Sequence, residues 1–334
     1  MSYEPQFQIT AHLLSIIEEI SALREKIQAA TVEVPWILSL QKETQIRNTH
    51  SSTAIEGNPL TLAEVKQIAD GKDLPTATER SKREILNHFA ALHFVEKHVF
   101  KKTIMSQDLF RLHTLVAKGV MDQGQPGEYR HMRVRVGHYI PPDPKAIPGL
   151  MKDYLEWWNR FSQKWSPVVS SAVLHFRFEE IHPFADGNGR LGRAIALWEL
   201  YRRGFDTHHI FSVDEVYWEN RPRYYQALSL VQQEKGDLTG WLEYSAEAIH
   251  LTLEKVWKRI AHLSLKTGDK ITLRPKQEKL LLLLREKRAV SPKEIRDALH
   301  VSKQGAMDLL HPLMKAGLIR KEGTKKSGKY LLLT

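Results

Sequence analysis

Apolar residues recur every three to four positions over residues 13–27, 109–120, 150–161, 168–181 and 191–203, a spacing that predicts amphipathic helices. Thr61 and Glu64 have the spacing of a capping box and open a further helix just after Pro59. One segment breaks the helical period. Residues 128–140, EYRHMRVRVGHYI, alternate and are β-prone, and Pro141-Pro142 ends them, so a short hairpin is expected there as the one β element of a helical domain.

The pattern changes near residues 266–273, where Thr267, Gly268 and Asp269 interrupt a helix and mark a domain boundary. Beyond it, residues 275–287 read as a first helix. Ser291-Pro292-Lys293-Glu294 supplies an N-cap, a Pro at the first helical position and a capping Glu for a second. Ser302 caps a third helix that Gly317 ends, with Pro312 expected to bend or split it. Residues 319–333 then read as strand, Gly/Lys turn, strand. Three helices and a hairpin make a winged helix-turn-helix over residues 270–334. The fold class expected is therefore mainly α: an N-terminal helical region (1–105), a helical core (106–265) and this small C-terminal domain.

Composition changes the picture little. The chain has 334 residues, 42% hydrophobic and 26% charged, which suits a globular protein of more than one domain. It has no cysteine, which excludes disulfides and thiolate zinc sites and fits a reducing compartment. The opening residues, MSYEPQFQIT, lack a basic and then apolar leader, and the aliphatic run 280–284 is too short to span a bilayer. A cytoplasmic protein without a membrane partner is expected, with export as an effector left open. Charge is more telling. Residues 274–334 hold 15 Lys/Arg against 6 Asp/Glu, so nearly all of the net charge of +10 sits in the C-terminal domain. A local positive field suggests a polyanionic partner such as DNA. Lys303 and Gln304 would face bases, and the wing residues Arg320, Lys321, Lys325, Lys326 and Lys329 would face phosphates.

The chemistry concentrates in residues 182–193, HPFADGNGRLGR, which join two apolar helices. A helix N-terminus offers unpaired N–H groups and a positive dipole end to phosphate. Gly187 and Gly189 let the backbone approach an anion closely. Arg190 and Arg193, three apart, share a helix face and can clamp phosphate oxygens. Asp186 is a hard oxygen ligand where Mg2+ would bridge phosphates. His182, with an unperturbed pKa of about 6.5, suits a general base. Phe184 and Leu191 read as core packing.

These twelve residues match without departure the pattern H-P-F-x-[D/E]-G-N-G-R-x-x-R, and the chain resembles the Fic family over roughly residues 35–250. The resemblance implies a helical Fic fold and transfer of AMP from ATP to a Ser, Thr or Tyr hydroxyl of a target protein. It implies that His182 deprotonates the hydroxyl and that Asp186 binds Mg2+. Gly187, Asn188 and Gly189 would cradle the α-phosphate, Arg190 the β-phosphate and Arg193 the γ-phosphate, with Leu191 and Gly192 completing the ATP contact. The hairpin, residues 127–142, resembles the family's flap, which aligns a target segment by strand addition. Val136, Gly137 and His138 would meet nucleotide or target. Tyr224 and Gln232 resemble the family's adenine-side positions. A homodimer through the helical region is implied by resemblance alone.

Ser52 and Glu56-Gly57 resemble the family's inhibitory motif, [S/T]-x-x-x-E-[G/N], in an N-terminal helix of about residues 41–57. A Glu56 carboxylate paired with Arg193 would occupy the guanidinium that the γ-phosphate needs. The same residue would serve as base if the chain also removed AMP. A reading from another class is a DNA-binding regulator whose Fic domain senses nucleotide. The base His182, which a sensor does not need, argues against it, and a brake carried in the chain argues against a two-component toxin–antitoxin module.

Overall fold

A computed structural model describes residues 3–30, 34–206, 208–234, 236–264, 275–287, 289–315, 318–322 and 328–332. The chain forms two compact units. The larger takes residues up to 28 and 41–259, and the smaller takes residues 29–40 and those from 260 on.

The helices run α1 (Ala11–Ala29), α2 (Val34–Ile55), α3 (Leu62–Ala69), α4 (Glu79–Lys97), α5 (Ser106–Ala117), α6 (Ile147–Arg160), α7 (Pro167–Ile181), α8 (Asn188–Arg202), α9 (Val213–Glu219), α10 (Arg221–Gln233) and α11 (Thr239–Ser264). Each helical period of the sequence became a helix. The Thr61–Glu64 capping box forms at the start of α3, with reciprocal bonds between the two residues.

The centre of the larger unit is the pair α7 and α8. Both are buried on nearly every side, as their low amphipathicity requires of a helix enclosed by others. Trp158, Trp198, Phe178 and Phe184 are all completely buried between them and α6. Such a core must also satisfy its polar atoms. The fully buried Glu199 accepts hydrogen bonds from Trp158 Nε1 at 2.7 Å and Ser170 Oγ at 2.9 Å, and pairs with Arg203 at 3.3 Å. Glu199→Ala orphans the buried Trp158 and Ser170 donors, while Arg203 keeps its bonds to the Ser162 and Trp165 carbonyls, and a loss of about 3 kcal/mol of stability is expected, read as an earlier midpoint in urea unfolding.

The expected hairpin of residues 128–140 needs correction. Its only pairing is a single bridge between Val136 and Tyr139 around Gly137 (φ 57°), and no strand forms along the segment. A guanidinium replaces the ladder. Arg130, with 2% exposure, donates to the carbonyls of Met132 at 2.9 Å and Pro142 at 2.6 Å, holding both ends of the loop. Side-chain bonds to carbonyls satisfy the backbone where cross-strand bonds would otherwise do so.

The smaller unit contains α12 (Pro275–Lys287), β1 (Ala289–Val290), α13 (Pro292–Leu299), α14 (Lys303–Lys315), β2 (Ile319–Glu322) and β3 (Lys329–Leu332). The three strands form an antiparallel sheet in the order β1-β3-β2, with Tyr330 opposite both Val290 and Lys321. The Ser291–Glu294 capping box opens α13, and Ser302 Oγ caps α14 through Gly305 N–H. Pro312 does not split the third helix: α14 runs as one helix through it. Leu284, Ile295, Leu310 and Tyr330 lie in one apolar cluster that Leu38 also joins. The interruption at Thr267, Gly268 and Asp269, the helix end at Gly317 and the turn holding Lys325 and Lys326 lie outside the described residues. No helix among the described residues is long and apolar enough to cross a membrane.

Candidate active site

Ser166 and Pro167 start α7, and His182 stops it by taking a left-handed backbone conformation (φ 49°, ψ 60°). Histidine is among the few residue types that enter this region at modest cost, and strain of this kind is concentrated at functional loops. The turn is pinned from outside, because Arg130 Nε donates to the His182 carbonyl at 2.8 Å and Arg130 N–H to the Pro183 carbonyl at 2.9 Å. One arginine thus joins the flap segment to the loop.

The loop is also held from within. Asn188 Oδ1 accepts from Phe184 N–H at 3.0 Å, and its amide donates to the Phe184 carbonyl at 2.8 Å. The Asn188 side chain, read from sequence as part of a phosphate cradle, is therefore committed to shaping the loop, and only its backbone remains for an anion. Asn188→Ala orphans a buried N–H and C=O and is expected to cost about 2 kcal/mol, seen as a lower Tm.

His113 adds a second clamp that the sequence did not reveal. Its ring stacks on Phe184 at 3.7 Å. Gly127 N–H donates to Nδ1 at 2.8 Å, so Nε2 carries the proton and donates to the Asp186 carbonyl at 3.0 Å. Burial pushes the His113 pKa down to about 4, which keeps the ring neutral and this tautomer in place.

Gly187 (φ 78°) is the N-cap of α8, and its N–H donates to Asp186 Oδ1 at 2.5 Å. Asp186 stays 38% exposed, with Arg190 Nη2 at 3.6 Å from Oδ1. Leu191, proposed for ATP contact, is fully buried in the core and offers no side chain to a ligand.

Arg193 has the densest set of contacts. Its side chain is 1% exposed. Nε donates to Ser52 Oγ at 3.0 Å, and Nη2 donates to the Ser52 carbonyl and to Glu56 Oε1, both at 2.8 Å. Asp214 Oδ2 lies 3.6 Å from Nε, and Nη1 reaches Tyr224 Oη at 3.4 Å. Burial alone would lower the Arg193 pKa, but the facing Glu56, Tyr224 and Asp214 raise it, so the guanidinium stays charged. Ser52 and Glu56 arrive together because Ser52 lies in the last turn of α2 and Glu56 directly follows its last residue, where Gly57 (φ 96°) turns the chain away.

These groups border a cavity of about 470 Å³ lined by Glu56, His182, Gly189 and Arg193. Val136, Gly137 and His138 of the flap segment close one side, and Gln232 and Tyr224 of α10 line another. Tyr224, however, is 1% exposed and directs its hydroxyl to Arg193 and to His175 Nε2 at 3.1 Å. It is a support for the arginine. Its neighbour Tyr225, 41% exposed and lining the same cavity, presents the accessible ring, which the sequence did not distinguish. His182 also departs from expectation. Burial pushes its pKa down to about 4, so it is a neutral imidazole at physiological pH, able to accept a proton but weaker as a base than a solvated one.

A helix N-terminus with an open glycine, a neutral histidine across a turn, and a buried arginine bonded to a carboxylate from another part of the chain thus border one cavity. Residues 103–200 of the chain match the Fic/DOC family. Over 260 residues, 74% of this chain, it is 29% identical to the protein adenylyltransferase Fic of Drosophila willistoni, of which the match covers 49%. The chain thus spans about half the length of the curated relatives it matches. A Fic family protein from Desulfovibrio desulfuricans G20 superposes with a TM-score of 0.67 at 26% identity, over 99% of this chain and 98% of that one. Fic-1 from C. elegans shares the fold, with a TM-score of 0.67 at 23% identity over 77% of this chain and 74% of that one.

Proposed function

We propose that this chain is a protein adenylyltransferase that moves AMP from ATP to a Ser, Thr or Tyr hydroxyl of a target protein, and that its own Glu56 holds it off. The observation that carries this reading is the buried Arg193, bonded to Glu56 at 2.8 Å in the cavity that His182 also lines. A guanidinium so placed, one turn into a glycine-opened helix, is the group a terminal phosphate would take. The similarity to the protein adenylyltransferase Fic of Drosophila willistoni supports the same chemistry.

His182 takes the proton of the attacking hydroxyl. The oxygen bonds to the α-phosphorus, and the bond to the bridging oxygen breaks, releasing pyrophosphate. The α8 N-terminus at Gly187–Gly189 receives the α-phosphate, Arg190 the β-phosphate and Arg193 the γ-phosphate once Glu56 has left. Asp186, exposed and one residue before the α8 cap, fits Mg2+, which takes one or two carboxylates and completes its shell with phosphate oxygens and water. When bound, the ion would neutralise phosphate charge. The flap bridge at Val136–Tyr139 leaves Val136 and Ile140 exposed, 42% and 61%, as a surface for the target segment. Incubating the chain with ATP labelled at the α-phosphate and a cell lysate tests the reading: labelled protein bands are expected, and label that stays with free nucleotide in every variant would refute it.

The smaller unit fits a winged helix-turn-helix that binds DNA. Helix α13, helix α14 and the β2–β3 wing stand in that order, and the unit holds most of the net charge. Lys303 and Gln304 are exposed at the start of α14, and Lys321 and Lys329 are exposed on the strands, whereas Arg320 is engaged with Glu322 at 2.5 Å. Binding of the full chain to duplex DNA is expected to weaken steeply with salt, and Lys321→Ala should reduce the slope of log affinity against log salt by about 1. Absence of any binding at low salt would refute this assignment.

A further inference from the structure

Glu179 lies in the last turn of α7 and lines the cavity beside His182 and Arg193, yet no step above uses it. Its Oε1 is buried without a hydrogen-bond partner among the described residues, and its Oε2 stands 3.7 Å from His182 Nδ1. Room is kept for it. A Cβ on Gly192 would come within 2.5 Å of Glu179 Oε1, and a Cβ on Gly189 would collide with Glu56 Oε1. Each of the two glycines on the inner face of α8 therefore clears space for one carboxyl. Gly189 accommodates the brake, and Gly192 accommodates a carboxyl that the brake does not explain.

An ionised carboxylate in a cavity that receives polyphosphate would repel it. Burial, followed by the charge of Glu56, pushes the Glu179 pKa up to about 8, with Arg193 opposing. At neutral pH the group is a carboxylic acid, and a carboxylic acid is a hydrogen-bond donor. We propose, resting on the adenylyltransferase reading, that Glu179 is a nucleotide-binding residue: its carboxyl donates a hydrogen bond to a phosphate oxygen of ATP once Glu56 has withdrawn. The proton remains on Glu179 throughout, so the residue acts in holding the nucleotide and not in the transfer.

The charged and titratable groups around it leave one titration in the working range. Glu56 faces it from the end of α2, Arg193 from α8, Tyr224 from α10 and Tyr154 from α6, with His175 on its own helix and His182 beyond. Burial raises both tyrosines well above 10 and lowers His175 to about 3 and His182 to about 4, while Arg193 stays charged. In a Glu56→Gly protein, Glu179 alone of these changes charge on the alkaline side of neutrality. The sign follows. The complex prefers protonated Glu179, so affinity is level below the pKa of the free protein and falls by up to tenfold per pH unit above it. Removing the Glu56 charge moves that point somewhat below about 8.

The test is calorimetric titration of full-length Glu56→Gly protein with α,β-methylene ATP and Mg2+, which binds without giving up AMP, between about pH 7.5 and 9.5. Affinity is expected to fall at least tenfold across that range. Adding Glu179→Gln, which keeps a donor and cannot ionise, should flatten the profile. Adding Glu179→Met, which keeps the volume and removes the donor, should also flatten it but at about tenfold weaker affinity throughout, the usual worth of a bond to a charged acceptor. A level profile for Glu56→Gly alone, an equally steep one for the Gln variant, or equal affinities of the Gln and Met variants would each overturn the proposal. Failure of Glu56→Gly to bind the nucleotide at the lowest pH would instead overturn the adenylyltransferase reading beneath it.

Discussion

Glu56→Gly protein is expected to incorporate at least about tenfold more labelled AMP than the parent chain, into itself and into lysate proteins. The physical basis is the single acceptor that Glu56 Oε1 presents to Arg193 Nη2 at 2.8 Å. Arg193 is almost completely buried, and a hydrogen bond to a charged group in such surroundings contributes about 1.5–3 kcal/mol, or roughly tenfold to a hundredfold in an equilibrium. Glu56 itself is 34% exposed at the end of α2, so its removal leaves no hole in the core. The remaining partners of Arg193, Ser52 and Tyr224, keep the guanidinium in position. The substitution therefore removes the stopper while the clamp stays built. Autoradiography of matched reactions checks it, and equal labelling by both proteins would show that Glu56 is no brake.

His182→Ala in the Glu56→Gly background is expected to lower AMP transfer by about two to four orders of magnitude, the usual contribution of a positioned general base. The change also disturbs a strained position, since His182 sits at φ 49° where alanine is disfavoured. His182→Asn separates the two effects, because asparagine tolerates left-handed backbone but offers no basic nitrogen. Both variants should lose transfer, while nucleotide affinity and the unfolding midpoint of the Asn protein stay near those of the parent. Transfer retained by the Asn variant would mean that another group takes the proton. With His182 held neutral down to about pH 4, the rate should show no loss of this base between about pH 6 and 8.

Much of the fold could be read along the chain because the relevant signals are local. Helical periods, two capping boxes and the loop from His182 to Arg193 depend on residues a few positions apart, and each forms as expected. Where a reading failed, a long-range partner had intervened. The alternating residues of the flap did not become strands, because Arg130 takes the carbonyls of Met132, Pro142 and His182. Tyr224 had the pattern of a ligand residue but turns inward to Arg193 and His175, and its neighbour Tyr225 faces the cavity.

By itself, the sequence determined the parts: a phosphate-shaped helix start, a histidine on a turn, a carboxylate motif in an early helix and a basic C-terminal unit. Only the tertiary structure decided which parts meet. Arg193 and Glu56 are separated by 137 positions, and their contact depends on how α2 packs against α8, which no local pattern encodes. The electrical state of the site is a property of packing as well. His182 and Glu179 are ordinary titratable residues in the sequence, and burial makes one a neutral base and the other a neutral acid, because a low-dielectric interior penalises whichever form is charged.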